Sequence, residues 1–565
     1  MQRLIHRGSK LAFLLPVGFF LLFYFYPLLS ILGLSLAPDN QLDLSPLSKL
    51  FDSFYYLKVF WFTTWQAFLS TLLVLLFAIP GAYVFTHYRF RGKSSMKAIS
   101  TLPFVLPTVV VANAFLALLG PGGLLNQWLM ALFNLSQPPI QIDHTLSMIL
   151  LANIFYNYSV ALRIISTQWQ NLGGDLNQAA QMLGASPRRA FWTVTLPLLR
   201  PSVMAAAVLV FLFCFTSFGV ILILGGPQFA TLEVEIYRQS VQMFNLPVAA
   251  ALSIVQIGFT FILMWYYTRI QAQTSHPVKL KSQLAAQKPI RTFKDKFIVY
   301  GNLTFMFLLL GLPLLALVAR SFAGRDGLTL RFYQELFVNR QNSLFFVPPA
   351  EAIFNSTIFA LATVLLAVSL GLLSVLLLTN GERDATKKSS KRWTRWLDPL
   401  FMLPLATSAV TLGFGFIIAL DKPPLNLRSS IILVPIAHTL VAIPFVIRSL
   451  MPSVRGINPR LREAAAILGA NPQQVWLQVD WPLIRRALLV GAVFAFTISM
   501  GEFGATLFIA RPQTPTMPVA IFRFLGQPGV LNYGQALAMS TLLMVVCAIG
   551  FVAIERFRVG DVGEF

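Results

Sequence analysis

Charged residues are scarce in this chain of 565 residues. They make up 11% of the sequence, whereas a soluble globular domain carries about 25%. Hydrophobic residues make up 56%, and the mean hydropathy is +0.70. No soluble fold of this length could cover so much apolar surface with so few charges. The composition therefore excludes a soluble protein and predicts that lipid surrounds much of the chain.

Cysteine, histidine and acidic residues are also few. The two cysteines, Cys214 and Cys547, lie in apolar stretches, which indicates neither a disulfide framework nor a cysteine metal site. With five histidines in the chain, we expect no dedicated iron site. Lys and Arg outnumber Asp and Glu by 43 to 21, which gives a formal net charge of +22. The basic residues form short clusters between apolar runs, so we interpret them as a membrane-topology signal and expect no nucleic-acid partner.

Sequence signatures of catalysis are absent as well. No G-x-x-x-x-G-K-[ST] motif occurs, so we expect that this chain does not hydrolyse ATP alone and binds no cofactor. No group of acid, base and nucleophile falls on one face, so we predict no catalytic residues and no metal site. The chain also lacks a long soluble segment that could form a substrate-binding lobe. If it transports a solute, energy and substrate capture must come from partners.

Long apolar runs are abundant. A helix needs about 20 apolar residues to cross the hydrocarbon core. The N-terminal run resembles a signal peptide at first sight, but it extends to about Ser35 without a convincing cleavage site, which favours an uncleaved span. The runs predict an all-α integral membrane protein of about 12 transmembrane helices. They lie near residues 11–35, 60–86, 99–119, 146–166, 198–224, 248–268, 297–319, 353–379, 399–420, 429–450, 484–510 and 535–554.

Basic clusters assign the two sides of the membrane. Most of the 43 Lys and Arg fall in one alternating set of connections, and the opposite set holds about ten. By the positive-inside rule the first set is cytoplasmic, which places both termini in the cytoplasm, and an even number of spans agrees with that. The clusters lie at Arg3–Lys10, Arg89–Lys97, Arg188–Arg200, Arg269–Lys296, Arg383–Arg395, Arg455–Arg486 and Arg556–Arg558.

The chain is a tandem repeat. A polar linker, residues 271–296, separates an N-terminal half of six spans (1–270) from a C-terminal half of six spans (297–565). At an offset of 285 the halves align without gaps from Arg163 on Arg448 to Pro227 on Pro512. Both aligned copies lie between the fourth and fifth spans of their half, so the repeat is parallel, with its axis along the membrane normal. We expect two equivalent cytoplasmic features flanking a path between the halves.

The most informative motif occupies the loops at about 167–200 and 451–486. After a small-residue helix, Gly184 tolerates the positive φ of a sharp turn. Ser186 and Pro187 then predict an N-cap with proline at the first helical position. The result is helix, turn, helix, an exposed elbow suited to a groove on a cytoplasmic dimer; the alternative is an ordinary interfacial loop. The motif residues are Gln178, Ala179, Ala180, Gly184 and Pro187 in the first copy and Glu463, Ala464, Ala465, Gly469 and Pro472 in the second.

This pattern of Glu-Ala-Ala, three residues, Gly and a hydrophobic stretch ending in Leu-Pro resembles the signature loop of ABC importer permeases. The resemblance implies the type I importer fold, a bacterial inner-membrane location and a coupling helix seated on an ATPase. It also implies two copies of an ABC ATPase subunit, which would bind ATP and Mg, and an extracytoplasmic substrate-binding protein. The chain departs from this pattern at two points. Trp481-Pro482 stands in place of Leu-Pro in the second copy, and Gln178 stands in place of the usual glutamate in the first. A contact that needs the glutamate is therefore expected at Glu463 alone.

The whole chain resembles the fused-permease group that includes thiamine and ferric-iron importers. The segments FTSFGVILILGGPQFATLEVEIYR (215–238) and SMGEFGATLFIARPQTPTMPVAIFR (499–523) carry this resemblance. It implies an importer permease working by alternating access, with thiamine or ferric iron as the favoured substrate. The runner-up is an ion-coupled secondary transporter, which would have no need of two docking elbows.

Candidate path residues are few. Glu502 lies inside span eleven, where an ionisable group costs at least about 2.5 kcal/mol and normally faces a cavity or partner. It would bind a cationic substrate beside Phe503 and Phe218, or it would be held by Arg448 or His438 as a buried structural carboxylate. Its repeat partner is Ser217, so the path would be asymmetric. Asn157 and Asn153, one turn apart, favour interhelical hydrogen bonding, and His438 favours a satisfied core residue.

Overall fold

The computed structural model describes residues 14–37, 41–172, 175–274, 287–324, 327–338, 347–383, 397–421 and 425–557. The cluster Arg3–Lys10, residues 275–286 of the predicted linker, most of the cluster Arg383–Arg395 and Arg558 lie outside the described residues. Eleven described helices are long and apolar enough to cross a membrane, and a pair bent by 100° makes twelve. The predicted all-α fold with about 12 membrane helices is confirmed.

The elements alternate long spans with short helices. The helices are α1 Leu14–Leu36, α2 Ser45–Asp52, α3 Phe54–His87, α4 Lys93–Val105, α5 Thr108–Leu119, α6 Leu124–Phe133, α7 Leu146–Leu172, α8 Asp175–Met182, α9 Pro187–Phe215, α10 Gly219–Leu224, α11 Leu232–Tyr237, α12 Leu246–Thr274, α13 Phe293–Ser321, α14 Arg331–Gln334, α15 Pro349–Arg383, α16 Leu397–Leu405, α17 Ala409–Ala419, α18 Leu433–Arg455, α19 Pro459–Ile467, α20 Pro472–Gly501, α21 Gly504–Ile509, α22 Met517–Leu525 and α23 Val530–Phe557. Strand β1 (Tyr88–Arg89) pairs with β2 (Lys288–Pro289) in parallel, and β3 (Ala323–Gly324) pairs with β4 (Gly327–Leu328) in antiparallel fashion.

Two compact units divide the chain differently from the two sequence halves. The first unit contains residues 1–46, 236–251 and 329–565, so it includes α1 together with most of the C-terminal half. Within it, the Tyr24 hydroxyl lies 2.6 Å from Thr407 Oγ1, and the ring of Phe20 meets Phe401 edge-on at 5.1 Å. The first span of the chain is therefore packed against helices of the other half. The half boundaries at 270 and 297 stay a prediction about the sequence repeat.

The second unit contains residues 47–235 and 252–328, and it includes α13, the first span of the C-terminal half. Phe305 of α13 stacks on Phe77 of α3 with ring centroids 4.5 Å apart. Where α13 begins, the Tyr88 hydroxyl donates a hydrogen bond of 2.9 Å to Asp295 Oδ1. Thr292 and Asp295 also form a reciprocal capping box, which satisfies backbone donors at the start of α13.

Four π-helical turns coincide with prolines inside spans. Each is five residues long and ends two residues before a proline, because proline lacks an N–H and releases a carbonyl of the preceding turn. The wider turn accommodates that loss without ending the helix. The pairs are Leu21–Phe25 with Pro27, Phe191–Thr195 with Pro197, Phe307–Gly311 with Pro313 and Trp476–Asp480 with Pro482.

The structure differs from the predicted continuous helices at four spans. In the third span, α4 ends at Val105 and α5 begins after Pro107. Pro107 has no N–H to donate to the preceding turn, and the residue before a proline avoids the helical region. The fifth and eleventh spans are also interrupted, between α9 and α10 and between α20 and α21. The ninth span is interrupted between α16 and α17, the pair bent by 100°. Hydropathy continues through all four breaks, which is why the sequence did not indicate them.

A glycine allows close contact between α17 and α21. A Cβ atom at Gly413 would lie 2.9 Å from the Cα and from the carbonyl oxygen of Ala505. Backbone atoms cannot rotate away, so we expect Gly413→Ala to lower the free energy of unfolding by about 1–3 kcal/mol. Gly258→Ala is the matched control, because no atom lies within 4 Å of its added Cβ. Thermal unfolding in detergent checks the pair; equal melting temperatures would contradict the close approach.

Candidate functional site

The first predicted elbow is a helix ended by a left-handed glycine. Gly184 has φ +90°, and its N–H donates to Gln181 O at 3.0 Å. The N–H of Ala185 donates to Ala180 O at 3.0 Å, the six-to-one bond of a Schellman ending. Ser186 then caps the next helix by accepting from the Arg189 N–H. Helix, turn and helix thus follow from local chemistry alone.

The second elbow reproduces the first at the repeat offset. Gly469 has φ +87°, and its N–H donates to Ala466 O at 3.0 Å. The N–H of Ala470 donates to Ala465 O, also at 3.0 Å. Asn471 caps the following helix in a reciprocal capping box with Gln474. Nothing lies within 4 Å of a Cβ added at either turn glycine, so these positions need glycine for its backbone freedom and not for space.

Each elbow presents an adjacent apolar pair to the outside. Met182 and Leu183 are 89% and 90% exposed, and Ile467 and Leu468 are both 86% exposed. The pairs occupy equivalent positions, directly before the turn glycine. Large apolar side chains exposed to this degree contribute nothing to the chain's own packing. Repetition of such a pair on both elbows is typical of surfaces that bind a partner.

Two broken spans lie at equivalent points of the repeat. In the second unit, residues 216–218, among them Ser217, separate α9 from α10, and Phe218 is buried. In the first unit, Glu502 and Phe503 separate α20 from α21, and Phe503 is also buried, with its ring 5.5 Å from that of Phe522. Interrupted helices at membrane depth are tolerated where their freed backbone groups find partners.

Glu502 supplies those partners in the first unit. Its Oε1 accepts from the Ala505 N–H at 2.8 Å, and its Oε2 accepts from the Thr506 N–H at 2.9 Å and from the Thr506 hydroxyl. His438 Nε2 lies 3.4 Å from Oε2. The carboxylate therefore caps the N-terminus of α21, where the helix dipole favours negative charge.

His438 extends this network to a third helix. Its Nδ1 lies 2.7 Å from Ser499 Oγ, and Ser499 Oγ donates to Thr363 Oγ1 at 3.2 Å. Arg448, the other candidate partner of Glu502, is exposed. The structure thus brings together Glu502, Phe503 and His438 of the predicted path residues. Their role in translocation stays a prediction.

The chain matches the family described as "Binding-protein-dependent transport system inner membrane component" over residues 75–276 and again over residues 385–559. The two matches cover more than half of the chain and both elbows. The chain belongs to this family. It is a multi-pass inner-membrane permease of an ABC importer and not an enzyme, and the family assignment decides against the ion-coupled carrier.

Relatives are similar over most of the permease. The thiamine transport system permease protein of Brucella abortus (strain 2308) is 28% identical over 507 residues, covering 88% of this chain and 87% of the relative. Its counterpart from Escherichia coli (strain K12) is 27% identical over 506 residues and covers 89% of both chains. A bacterial ABC transporter for the import of alginate, solved by crystallography, shows 19% identity and a TM-score of 0.41, over 49% of this chain and 99% of that chain.

The two elbows of the permease are not braced alike. In the second, Arg462 Nε donates to Asp480 Oδ1 at 2.6 Å, which ties α19 to the π-helical turn of α20. Both side chains are largely shielded from solvent. The equivalent positions of the first elbow hold Asn177 and Thr195, which cannot form an ion pair. The sequence motif did not indicate this brace, because its two members stand 18 residues apart.

A double-mutant cycle tests the brace. We expect Arg462→Asn alone to destabilise the permease, because it leaves the shielded carboxylate of Asp480 without its partner. Adding Asp480→Thr, which installs the residues of the first elbow, should recover part of the loss. The expected coupling energy is about 1–3 kcal/mol. Chemical unfolding of the four proteins measures it, and strictly additive effects would show that the contact stabilises nothing.

Asn157 belongs to a buried polar network in the second unit. Its Nδ2 donates to Asn153 O at 3.0 Å and to Cys214 Sγ at 3.4 Å. Asn153 Nδ2 in turn donates to Gln66 Oε1 and Ser70 Oγ, and Gln66 Nε2 donates to Cys214 O. These bonds join α3, α7 and α9, as interhelical hydrogen bonding requires. A part in the path stays a prediction for Asn157, Ser217 and Phe218.

Two further buried carboxylates escaped the sequence reasoning. Glu233 Oε1 accepts from Gln256 Nε2 at 2.7 Å, and Glu235 Oε2 accepts from the Tyr55 hydroxyl at 2.8 Å. Both carboxylates are buried within α11. The equivalent positions of the second half hold Pro518 and Ala520. The presence of two carboxylates in one half alone was therefore a signal in the sequence repeat that could have singled them out. Because α11 is only six residues long, it is too short to count as a span, and hydropathy did not indicate its burial.

Proposed function

We propose that this permease imports thiamine, delivered by an extracytoplasmic binding protein and driven by two copies of a separate ABC ATPase. The choice of thiamine as the substrate rests on the similarity, over 88% of the chain, to relatives named as thiamine transport permeases. Thiamine is a cationic, aromatic solute, and aromatic faces such as Phe218 and Phe503 suit that chemistry.

The two elbows support the proposal that an ATPase dimer is the partner. They repeat the same turn, the same backbone hydrogen bonds and the same exposed apolar pair, so they suit two equivalent grooves on an ATPase dimer. In this proposal both termini and both elbows are cytoplasmic, in keeping with the positive-inside rule. ATP and Mg bind to the ATPase, the permease itself binds no cofactor, and ATP binding drives alternating access.

Reconstitution of the whole complex tests the proposal. The permease and ATPase are placed in liposomes, and ATP hydrolysis and uptake are measured with binding protein loaded with thiamine or with ferric iron. We expect the thiamine-loaded protein to stimulate both activities. A variant with valine at Gly184 and Gly469 should lose the stimulation, because a β-branched residue is strained at positive φ.

The alternatives give different results. Stimulation by the iron-loaded protein alone would replace thiamine with ferric iron and leave the importer intact. Uptake that persists after the ATPase subunit is omitted would contradict ATP-driven import. Full stimulation in the double-glycine variant would contradict coupling through the elbows.

A further inference from the structure

Two distant basic stretches meet beside the start of α13 in the second unit. One stretch follows α3, and the other leads into α13. They are joined by the pairing of β1 with β2, in which Tyr88 lies opposite Lys288 and Arg89 lies opposite Pro289. Six Lys and Arg side chains lie within five positions of the paired strands; Lys93 is half-buried and the other five are exposed. We call this set the basic surface; its members are Arg89, Arg91, Lys93, Lys288, Arg291 and Lys294.

The six cations of the basic surface outnumber the negative charge of these two stretches, which comes from a single carboxylate. Their acidic residue is Asp295, and both of its oxygens are engaged. Oδ1 accepts from the Tyr88 hydroxyl at 2.9 Å, and Oδ2 accepts from the Thr292 N–H at 3.1 Å. Across the described part of the chain, the ion pairs that form involve other cations.

Lys93 shows how far the basic surface is short of anions. Its Nζ donates to the Tyr88 carbonyl at 2.9 Å, which is a neutral acceptor. The pKa of Lys93 is lowered to about 8, by desolvation in the first place and by the charge of Lys97 in the second. A bound anion at this position would favour the protonated amine.

An apolar face runs from the same point along α13. Phe293, Phe297 and Tyr300 follow one another at helical spacing, so they share one face, and all three are exposed. The candidate membrane span of α13 begins at Phe293. We therefore expect the basic surface at the depth of lipid headgroups and the aromatic rings at the boundary with the acyl chains.

We propose that the basic surface binds the headgroup of an anionic phospholipid, with the lipid's acyl chains lying along the exposed aromatic face of α13. Charge complementarity selects an anionic headgroup over a zwitterionic one. The aromatic face selects a lipid over a soluble phosphate, because a soluble anion makes no use of it. The inference does not depend on the transported substrate or on which leaflet faces the cytoplasm.

Lipid titration of the purified permease in detergent tests this inference. Binding of phosphatidylglycerol and of phosphatidylcholine with the same acyl chains is followed by native mass spectrometry. We expect phosphatidylglycerol to bind more tightly. The triple variant K288Q/R291Q/K294Q should bind it about fivefold more weakly for each charge removed. The control variant R485Q/R486Q/R556Q, which removes the same charge elsewhere, should bind it like the unmodified protein.

Other outcomes overturn the proposal. Equal binding of the two lipids, or equal binding by the triple variant and the unmodified protein, would remove the headgroup site. Displacement of phosphatidylglycerol by inorganic phosphate at matched concentration would assign the basic surface to soluble anions. If the glutamine variant unfolds, the charge-conserving variant K288R/R291K/K294R is tested in its place. It must retain full binding of phosphatidylglycerol, and a loss of binding would contradict the proposal.

Discussion

Aspartate at both Leu183 and Leu468 is expected to abolish ATP-driven uptake while leaving the permease folded. These side chains are 90% and 86% exposed, so the substitution removes no packing within the chain. On docking, each would place an unpaired charge in an apolar contact, which is unfavourable. Loss of one interface anchor costs about 2 kcal/mol or more, or roughly thirtyfold in affinity, and both elbows are changed. Co-purification with the ATPase and ATP-dependent uptake measure the effect.

Leu328→Asp is the matched control for this prediction. Leu328 is 90% exposed and lies in β4, in a connection predicted to be extracytoplasmic. It receives the same charge at the same exposure, so it should leave uptake and ATPase binding unchanged. If the double variant retains both, the apolar pairs are not the docking surface. If it melts at a lower temperature than the control, the pairs pack within the chain after all.

Glu502→Ala is expected to destabilise the permease by about 3–5 kcal/mol, the usual cost of removing one member of a buried charged network. The substitution leaves the N–H groups of Ala505 and Thr506 without their acceptor, and His438 loses a neighbour. Because α21 is six residues long, it has few other bonds to hold its start. Thermal unfolding in detergent measures the loss.

Ser217→Ala provides the comparison at the equivalent break. Ser217 carries no charge and is half-buried, so its removal should change stability little. A Glu502 variant that keeps its melting temperature but loses uptake would favour a direct part in translocation. A variant that loses both in parallel would identify Glu502 as the structural cap of α21.

Local chemistry made much of this fold predictable. The elbows could be predicted because Gly184 and Gly469 each require a left-handed backbone, and Pro187 and Pro472 each start a helix. Span number could be predicted because hydrophobic length is a property of consecutive residues. Because the two halves align at an offset of 285, the elbow motif occurs twice in the sequence, and each copy supports the other.

Features that depend on distant residues could not be predicted. Hydropathy says where a span lies but not which span it packs against, so the placement of α1 and α13 with the opposite half was not foreseen. The helix break at Glu502 is stabilised by contact with His438, which lies 64 positions earlier in the chain. From the sequence alone, Arg448 was an equally good candidate for that contact. Burial of Glu233 and Glu235 likewise depends on Gln256 and Tyr55.

The packing of α1 has a consequence for biosynthesis. Tyr24 meets Thr407, which is 383 residues later in the chain. At a translation rate of about 5–20 residues per second, the first span waits roughly 20–75 s in the bilayer before its partner is synthesised. By contrast, Phe305 finds Phe77 already inserted. A ribosome that stops after the first six spans therefore leaves an orphan helix for membrane proteases. Encoding both halves in one reading frame ensures that each α1 is followed by its own partner.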